Sequence, residues 1–307
     1  MSLTCAISVD LDEIHNYLQI HGLDTPSDLS MTAVYDVAVD RLLAWGRAEK
    51  LPLTFFVVGS DLERALARDK IAEAARVGTE IANHTYSHFY DLTRRPKQEA
   101  AADIARGAEI IEKVTGKRPL GFRAPGYTIT NEIFDTLLEQ GYAYDSSVFP
   151  CPAYYAAKTA MIGAIRARGR ESRSVVDDPR VLTAPIVPYR VGTPYWKRGE
   201  GLLEVPIQVT TGARLPVIGT SLMLAGVRGS KMLAAMCTDA TFNLELHGVD
   251  VLDETDGLAP LAKNQGDLKI RWGRKLEILS AVVAEFRARG GEFVTLERLA
   301  ASRVPAS

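Results

Sequence analysis

The apolar positions of this chain form short β-compatible runs that alternate with amphipathic helical patterns. Strands are predicted at 3–10, 51–59, 79–84 and 119–126, where short apolar runs end in polar residues or glycine. Helices are predicted at 32–48, 62–78, 98–116 and 131–142, where apolar residues recur with helical spacing. Such alternation is typical of parallel strands joined by right-handed helical crossovers, so we predict an α/β fold.

The pattern is less regular from about 150 to 240, which holds many prolines and a long apolar segment at 215–236. We interpret this region as an insertion or lid of the same domain. The apolar segment is expected to be core or oligomer interface, with a lipid-binding face as the alternative. Strand character returns at 242–248 and a final amphipathic helix is predicted at 272–291. The oligomeric state is left open.

Composition and charge narrow the class of protein. The chain has 307 residues, a formal charge of −2 and no internal repeat, so one large domain without general affinity for nucleic acid is expected. Neither a signal peptide nor an apolar run long enough for a membrane span is visible, which favours a cytoplasmic protein. Cys5, Cys151 and Cys237 lie far apart and are expected to be buried and unpaired.

Candidate chemistry collects where the predicted strands end. Asp10 and Asp12 leave the first strand and lie two positions apart, so both side chains are expected to point the same way. His84 and His88 leave the third strand and lie four positions apart, which predicts that they share one helical turn. The carboxyl ends of parallel strands meet at one rim, where Arg123, Tyr127, Asp145 and His247 are also expected.

A carboxylate with two imidazoles is a suitable ligand set for a catalytic divalent metal with open positions. Such a metal lowers the pKa of a bound water to about 7, and the second aspartate would then be free to act as general base. Zn²⁺ is the default metal for this set, although Co²⁺ or Ni²⁺ would also fit.

The motifs SVDLDE, HTYSH, RAPGY, YDSS and LELHG, in this order, resemble the polysaccharide deacetylase family, also called the NodB-homology or carbohydrate esterase 4 family. The resemblance implies a distorted (β/α) barrel over 1–307 with a metal-dependent hydrolase site. The Asp-x-Asp spacing is similar to a divergent subgroup that includes cytoplasmic peptidoglycan-deacetylase-like proteins. Some relatives in that wider group hydrolyse cyclic imides, ureides or formamides.

The resemblance also implies a role for each motif residue: Asp10 as general base, Asp12, His84 and His88 as metal ligands, Arg123 as the residue that orients the base, and His247 as general acid. Asp145 matches an acid that supports the arginine or the histidine. The backbone N–H of Gly126 or Tyr127 would hold the oxyanion. His15 and His21, in the opening loop, are either substrate-cleft residues or ordinary loop residues.

These observations predict a metal-dependent hydrolase that cleaves a C–N amide bond, with an N-acetylated sugar as the substrate. Another linear or cyclic amide on the same scaffold is the first alternative. A catalytically silent carbohydrate-binding protein is the alternative from a different class. An aspartate-nucleophile phosphatase is disfavoured, because it leaves the HTYSH motif unexplained and Ile14 departs from the usual pattern of such enzymes.

Overall fold

The computed structural model describes residues 3–303, in which nine strands form one sheet. The strands are β1 Thr4–Asp10, β2 Leu53–Val57, β3 Glu80–Asn83, β4 Gly121–Phe122, β5 Tyr144–Asp145, β6 Tyr189–Val191, β7 Arg198–Glu204, β8 Thr241–His247 and β9 Glu292–Phe293. Their order is β6-β7-β5-β4-β3-β2-β1-β8, with β9 also against β1. β6 and β7 pair antiparallel, and the other neighbouring strands in this order are parallel, as the alternation predicts.

The helices are α1 Ile14–His21, α2 Val39–Glu49, α3 Ala65–Arg76, α4 Lys97–Thr115, α5 Asn131–Glu139, α6 Pro152–Ala167, α7 Gly219–Ala235, α8 Trp272–Ala288 and α9 Leu296–Ala301. The helices predicted in the first half correspond to α2–α5, and the last predicted helix corresponds to α8. A π-helical turn at Val34–Ala38 precedes α2.

The opening segment is helical rather than a loop, which corrects the prediction for His15 and His21. The Glu13 side chain accepts the N–H of Ile14 at the start of α1, and Gly22 ends the helix in the left-handed conformation. Ile14, Tyr17 and Leu18 are buried at helical spacing. The helical spacing of these apolar residues is present in the sequence, but the stripe is short and polar residues interrupt it.

Alternate residues of the strands supply two different cores, because successive side chains point to opposite faces of the sheet. Cys5, Ile7 and Val9 of β1 pack in the larger core between the sheet and the helices. Ala6 packs instead in a cluster with Phe56, Ala82, Tyr144, Leu203 and Leu296, which come from β2, β3, β5, β7 and α9. Residues from so many strands meet only if the sheet is curled, so the predicted distorted barrel is confirmed.

The region predicted to be an insertion or lid, 150–240, contains α6, β6, β7 and α7. β7 pairs with β5, so part of this region belongs to the sheet itself. In α7, Leu222 and Met223 are buried, whereas Leu224 is 72% and Met232 is 64% exposed. The apolar segment is therefore only partly core, and the domain bounds and the lid interpretation stay predictions.

Two further expectations concern the cysteines and possible membrane-spanning helices among the described residues. Cys5, Cys151 and Cys237 are buried and unpaired, as predicted. Across 3–303, the structure contains no helix with the length and apolar character needed to cross a membrane.

Candidate metal and catalytic site

The predicted polar residues meet at the carboxyl ends of the central strands. Asp10 is the last residue of β1 and pairs in register with His247, the last residue of β8. Asp12 follows two positions later, and His84 follows β3 directly. The parallel register thus places side chains that are distant in sequence at one rim.

Asp12, His84 and His88 form a compact group with the donor set of a divalent metal site. His84 Nε2 lies 3.3 Å from Asp12 Oδ1, and His88 Nε2 lies 3.2 Å from Asp12 Oδ2. Each of the three residues is at most 4% exposed. Within the described residues, Asp12 Oδ1 and both ring nitrogens of His88 have no hydrogen-bond partner. Buried polar atoms that face one another without partners fit a cation, which would satisfy them together.

The tautomer of His84 agrees with this assignment. His84 Nδ1 lies 2.7 Å from the carbonyl oxygen of Arg123. A donor at Nδ1 leaves Nε2 with a free lone pair toward Asp12, which is the arrangement of a metal-binding imidazole held by a backbone carbonyl.

The two histidines do not share a helical turn, so that part of the prediction is wrong. Residues 84–88 form an irregular loop in which Thr85 and His88 have positive φ values of 65° and 52°. Thr85 Oγ1 accepts the N–H of His88 (3.0 Å) and stabilises this turn. The ring centroids of His84 and His88 come within 4.9 Å. Two histidines four positions apart can be brought together by a tight loop as well as by one turn of helix. Sequence periodicity does not distinguish these two conformations.

Arg123 contacts Asp10, the residue that the resemblance implies it would orient. Arg123 Nη1 donates to Asp10 Oδ1 (2.6 Å), and the guanidinium is fully buried. Its other nitrogens donate to Ser8 Oγ (2.9 Å) and to the backbone and side chain of Ser146. Asp10 Oδ2 has no hydrogen-bond partner in residues 3–303 and lies 3.8 Å from His84 Nε2. One carboxylate oxygen is thus fixed, and the other faces the candidate metal group.

Glu245 is a residue of the candidate site that sequence reasoning missed. Its Oε1 lies 2.8 Å from His247 Nδ1, and Glu245 is only 1% exposed. Burial opposes the charged imidazolium, but Glu245, with Asp12 and Asp10, raises the pKa of His247 well above its usual value. The spacing in LELHG could have indicated this pair, because Glu245 and His247 lie two positions apart on one strand and therefore share a face.

Asp145 is the last residue of β5, but in the described part of the chain it makes no hydrogen bond or ion pair with Arg123 or His247, the residues that the resemblance implies it supports. It accepts the N–H (2.9 Å) and the hydroxyl (2.8 Å) of Ser147, and Ser147 Oγ in turn accepts the N–H of Ala124. Burial and the adjacent Asp145 carboxylate raise the pKa of Glu204 well above its usual value. Asp145 therefore supports the RAPGY segment indirectly, and its catalytic role stays a prediction.

The RAPGY segment turns sharply beside the general-acid candidate. The N–H of Tyr127 donates to the carbonyl of Ala124 (3.1 Å), so Gly126 is the better candidate for the oxyanion donor. Tyr127 Oη lies 3.3 Å from His247 Nε2. Lys158 of α6, which sequence reasoning also missed, donates from Nζ to the carbonyl oxygen of Gly126 (2.7 Å). This bond ties α6 to the rim.

The two remaining histidines occupy opposite ends of α1. Burial and the neighbouring His88 lower the pKa of His15, so His15 lies within electrostatic reach of the candidate metal group. Burial also lowers the pKa of His21, whose polar neighbours are Gln265 and Arg170. The structure therefore brings His15, and not His21, toward the predicted ligands.

Comparison with known proteins agrees with this geometry. Residues 32–144 match the model of the polysaccharide deacetylase family. The chain is 32% identical to a peptidoglycan deacetylase from Helicobacter pylori over 145 residues, which are 47% of this chain and 48% of that protein. Over the matched residues, the chain is therefore similar to the polysaccharide deacetylase family. The expected resemblance is thereby confirmed.

Two other similarities agree with this match. A peptidoglycan-N-acetylglucosamine deacetylase from Bacillus cereus is 35% identical over 96 residues, 31% of this chain and 43% of that protein. A crystal structure of a Mycobacterium smegmatis protein assigned to the polysaccharide deacetylases covers 96% of this chain and 94% of that chain, with 21% identity and a TM-score of 0.54. This likeness shows the fold. The chain spans less than half the length of the curated relatives that it matches.

Proposed function

We propose that this chain is a metal-dependent hydrolase of the polysaccharide deacetylase family that removes the acetyl group from an N-acetylated glycan. The observation that carries the proposal is that Asp10 and His247 both adjoin the candidate metal group: Asp10 Oδ2 lies 3.8 Å from His84 Nε2, and His247 Nε2 lies 3.8 Å from Asp12 Oδ2. A base and an acid that both adjoin a candidate metal group suit amide hydrolysis. The printed names of the relatives, peptidoglycan deacetylases, support the glycan substrate.

Asp12, His84 and His88 would hold a divalent cation, for which Zn²⁺ is the default and Co²⁺ or Ni²⁺ are alternatives. When bound, this cation would polarise the amide carbonyl and lower the pKa of a water molecule. The protein supplies a buried site for it, because the three ligands are screened from solvent and their free lone pairs converge.

Asp10 acts as the general base in this proposal. Arg123 holds Oδ1 by a charge-assisted hydrogen bond, which leaves Oδ2 to accept a proton from the attacking water. The four polar contacts of the buried guanidinium fix the orientation of Asp10 before substrate binds. Pre-organisation of this kind lowers the cost of reaching the transition state.

His247 acts as the general acid. The Glu245 carboxylate beside Nδ1 stabilises the protonated ring, so that Nε2 carries the proton that the departing nitrogen requires. The N–H of Gly126 is the proposed oxyanion donor, held in place by Lys158 at the carbonyl of the same residue. Amide cleavage then yields acetate and a free amine on the sugar.

The test is an amine-release screen over N-acetylated sugars and glycans, formamido sugars and cyclic imides, with metal analysis of the same preparation. We expect release of acetate and amine from an N-acetylated glycan and about one equivalent of divalent metal. Asp10→Asn should lower kcat by at least about 10²-fold and leave the metal content unchanged, because Asp10 is a base and not a ligand. Asp12→Asn should lose the metal.

Other results would select the alternatives. Release from cyclic imides alone would overturn the sugar substrate, and release from formamido sugars alone would replace acetyl by formyl. Metal binding without turnover of any amide would favour a carbohydrate-binding protein. Full activity of Asp10→Asn would remove the assigned base. The cytoplasmic location rests on the sequence alone and stays a prediction.

A further inference from the structure

A large groove adjoins the candidate metal site, and the proposed chemistry uses only its edge. Its volume is about 1290 Å³, and His88 and Tyr90 are among its lining residues. The other walls come from the loop after β3 (87–95), the end of α6 and the segment 169–176. Because a predicted metal ligand lines it, a substrate bound in this groove can reach the reacting centre.

Arginine dominates the charge of the groove. Its five arginines are Arg94, Arg95, Arg166, Arg170 and Arg173. The acidic lining residues are Asp91 and Glu171. The groove is therefore strongly positive in a chain whose formal net charge is −2.

Most of this positive charge is not neutralised by the protein. Arg95 pairs with Asp91 and with Glu99 and stacks on Phe89. Within residues 3–303, the side chains of Arg94, Arg166, Arg170 and Arg173 take part in no ion pair. Like charges that line one concave surface repel each other, and a bound anion relieves this repulsion.

The chemistry of arginine defines the ligand. A guanidinium presents a planar fork of donors that matches a carboxylate or a phosphate, and it is more weakly hydrated than an ammonium group. The groove also exceeds the usual range of about 300–1,000 Å³ for small-molecule sites, so it has room for more than one sugar unit. A neutral sugar would gain no charge-assisted hydrogen bonds from these side chains.

We propose that the substrate is an acidic glycan, whose carboxylate or phosphate group binds Arg166, Arg170 and Arg173 while the N-acyl group of a nearby sugar lies at the metal site. This inference rests on the proposed function and narrows its substrate class. The arginines bind and position the glycan without touching the reacting atoms.

Calorimetric titration of the metal-loaded protein tests this proposal with matched tetrasaccharides. The probes are a neutral N-acetylglucosamine tetramer, a tetrasaccharide that alternates N-acetylglucosamine with uronic acid, and a phosphorylated N-acetylglucosamine tetramer. We expect an acidic probe to bind at least about tenfold more tightly than the neutral tetramer, and the difference to shrink as salt is raised. The two acidic probes distinguish carboxylate from phosphate recognition.

The chain supplies a matched pair of variants. Arg166→Gln combined with Arg170→Gln should reduce the preference for the acidic probe to within about threefold. Arg168→Gln is the control, because Arg168 lies between these two arginines in sequence and is exposed outside the groove. It should retain the full preference. Melting temperatures of all variants show whether any loss comes from unfolding.

Equal affinity of the wild-type protein for all three probes would overturn the acidic-glycan inference. A preference that survives the double arginine variant, or that disappears equally in Arg168→Gln, would also overturn it. These outcomes are separate from the proposed function, which is judged by amine release. If neutral and acidic glycans bind equally and are both turned over, the result supports deacetylation and contradicts the acidic-glycan inference. If acidic glycans bind selectively but no amine is released, the result supports the acidic-glycan inference and contradicts the proposed deacetylation.

Discussion

At the scale of single residues, the candidate site consists of buried charges that hold one another in place. Arg123 would be costly to bury alone, and Asp10 and the polar groups around it make burial tolerable. Glu245 has the same relation to His247 at the end of the neighbouring strand β8. Each proposed catalytic group therefore has one dedicated partner, and that partner sets its orientation and its charge.

Glu245→Gln tests the partner of the general acid. The carboxylate raises the pKa of His247, and a neutral amide removes that effect, so the pKa of His247 falls. A general acid must carry its proton, and the alkaline limb of the kcat/KM profile should therefore move to lower pH. We expect kcat at neutral pH to fall about tenfold to a hundredfold. The pH–rate profile is the measurement.

Asp145→Asn is the comparison variant, since Asp145 was the acid expected from sequence to support His247 or Arg123. It binds Ser147 instead, so the position of the alkaline limb should not change. An alkaline limb that moves in Asp145→Asn and stays fixed in Glu245→Gln would contradict the arrangement described above.

Much of the residue-level site was predictable. Sequence reasoning found Asp10, Asp12, His84, His88, Arg123 and His247, because each lies at or just after the end of a strand, and parallel strands end at one rim. Glu245 was missed because it lies inside β8, where an acid carries no motif of its own. Lys158 was missed because it reaches the rim from α6, whose place is set by packing and not by local sequence.

At the scale of elements, loops with unusual backbone conformation determine how the helices and strands meet the site. His88 reaches its position only because Thr85 and His88 adopt positive φ. α7 contains a similar interruption at Gly226, with φ 64° and ψ −176°. Only glycine adopts such a conformation readily, so the break in α7 depends on this one residue.

Gly226→Ala tests this dependence. A Cβ at this φ and ψ is strained even though the space around it is open, so we expect the free energy of unfolding to fall by about 1–3 kcal/mol. Gly163→Ala is the control, because Gly163 lies within α6 and has open space around it. Gly163→Ala should raise the free energy of unfolding by about 0.5–1 kcal/mol, because alanine has a higher helix propensity than glycine. Urea unfolding measures both, and a neutral Gly226→Ala would show that α7 tolerates an unbroken helix.

At the scale of the whole molecule, the curled sheet buries several acids around the rim. Burial raises the pKa of Glu13 to about 7, with Arg64 opposing the shift. Burial and the neighbouring Glu13 raise the pKa of Asp61 to about 8. Burial likewise raises the pKa of Asp177 to about 6. Several carboxyl groups therefore hold protons in the folded state at pH values where the unfolded chain has released them.

The stability of the protein should therefore decrease as pH rises. Asp61 has a folded pKa of about 8 against a usual value of 3.8, so between these values the folded state binds more protons than the unfolded state. Its contribution is fully present below about pH 4 and is lost as pH rises toward about 8. One such group changes the unfolding free energy by about 1.4 kcal/mol per pH unit in this window.

Asp61→Asn should flatten this dependence, because an amide does not titrate. Urea unfolding at several pH values between 5 and 8 is the measurement, with metal present throughout. Asp69→Asn, which alters an exposed carboxyl group on α3, should keep the slope of the wild-type protein. The same slope in Asp61→Asn and the wild-type protein would contradict the assignment of this proton to Asp61.

The sequence by itself determined the order of elements, the parallel α/β class and the rim on which the polar residues collect. These follow from the periodicity of apolar residues and from strand ends, which are local properties of the chain. The family motifs also determined the candidate roles of Asp10, Asp12, His84, His88, Arg123 and His247.

Only the tertiary structure decided how those residues are held. The loop at 84–88, the Glu245–His247 pair, the indirect position of Asp145 and the arginine-lined groove all depend on contacts between segments that are far apart in the sequence. Such contacts come from the curl of the sheet and from packing of α6 against the rim. Local propensity does not encode them, because each is selected by the free energy of the whole fold.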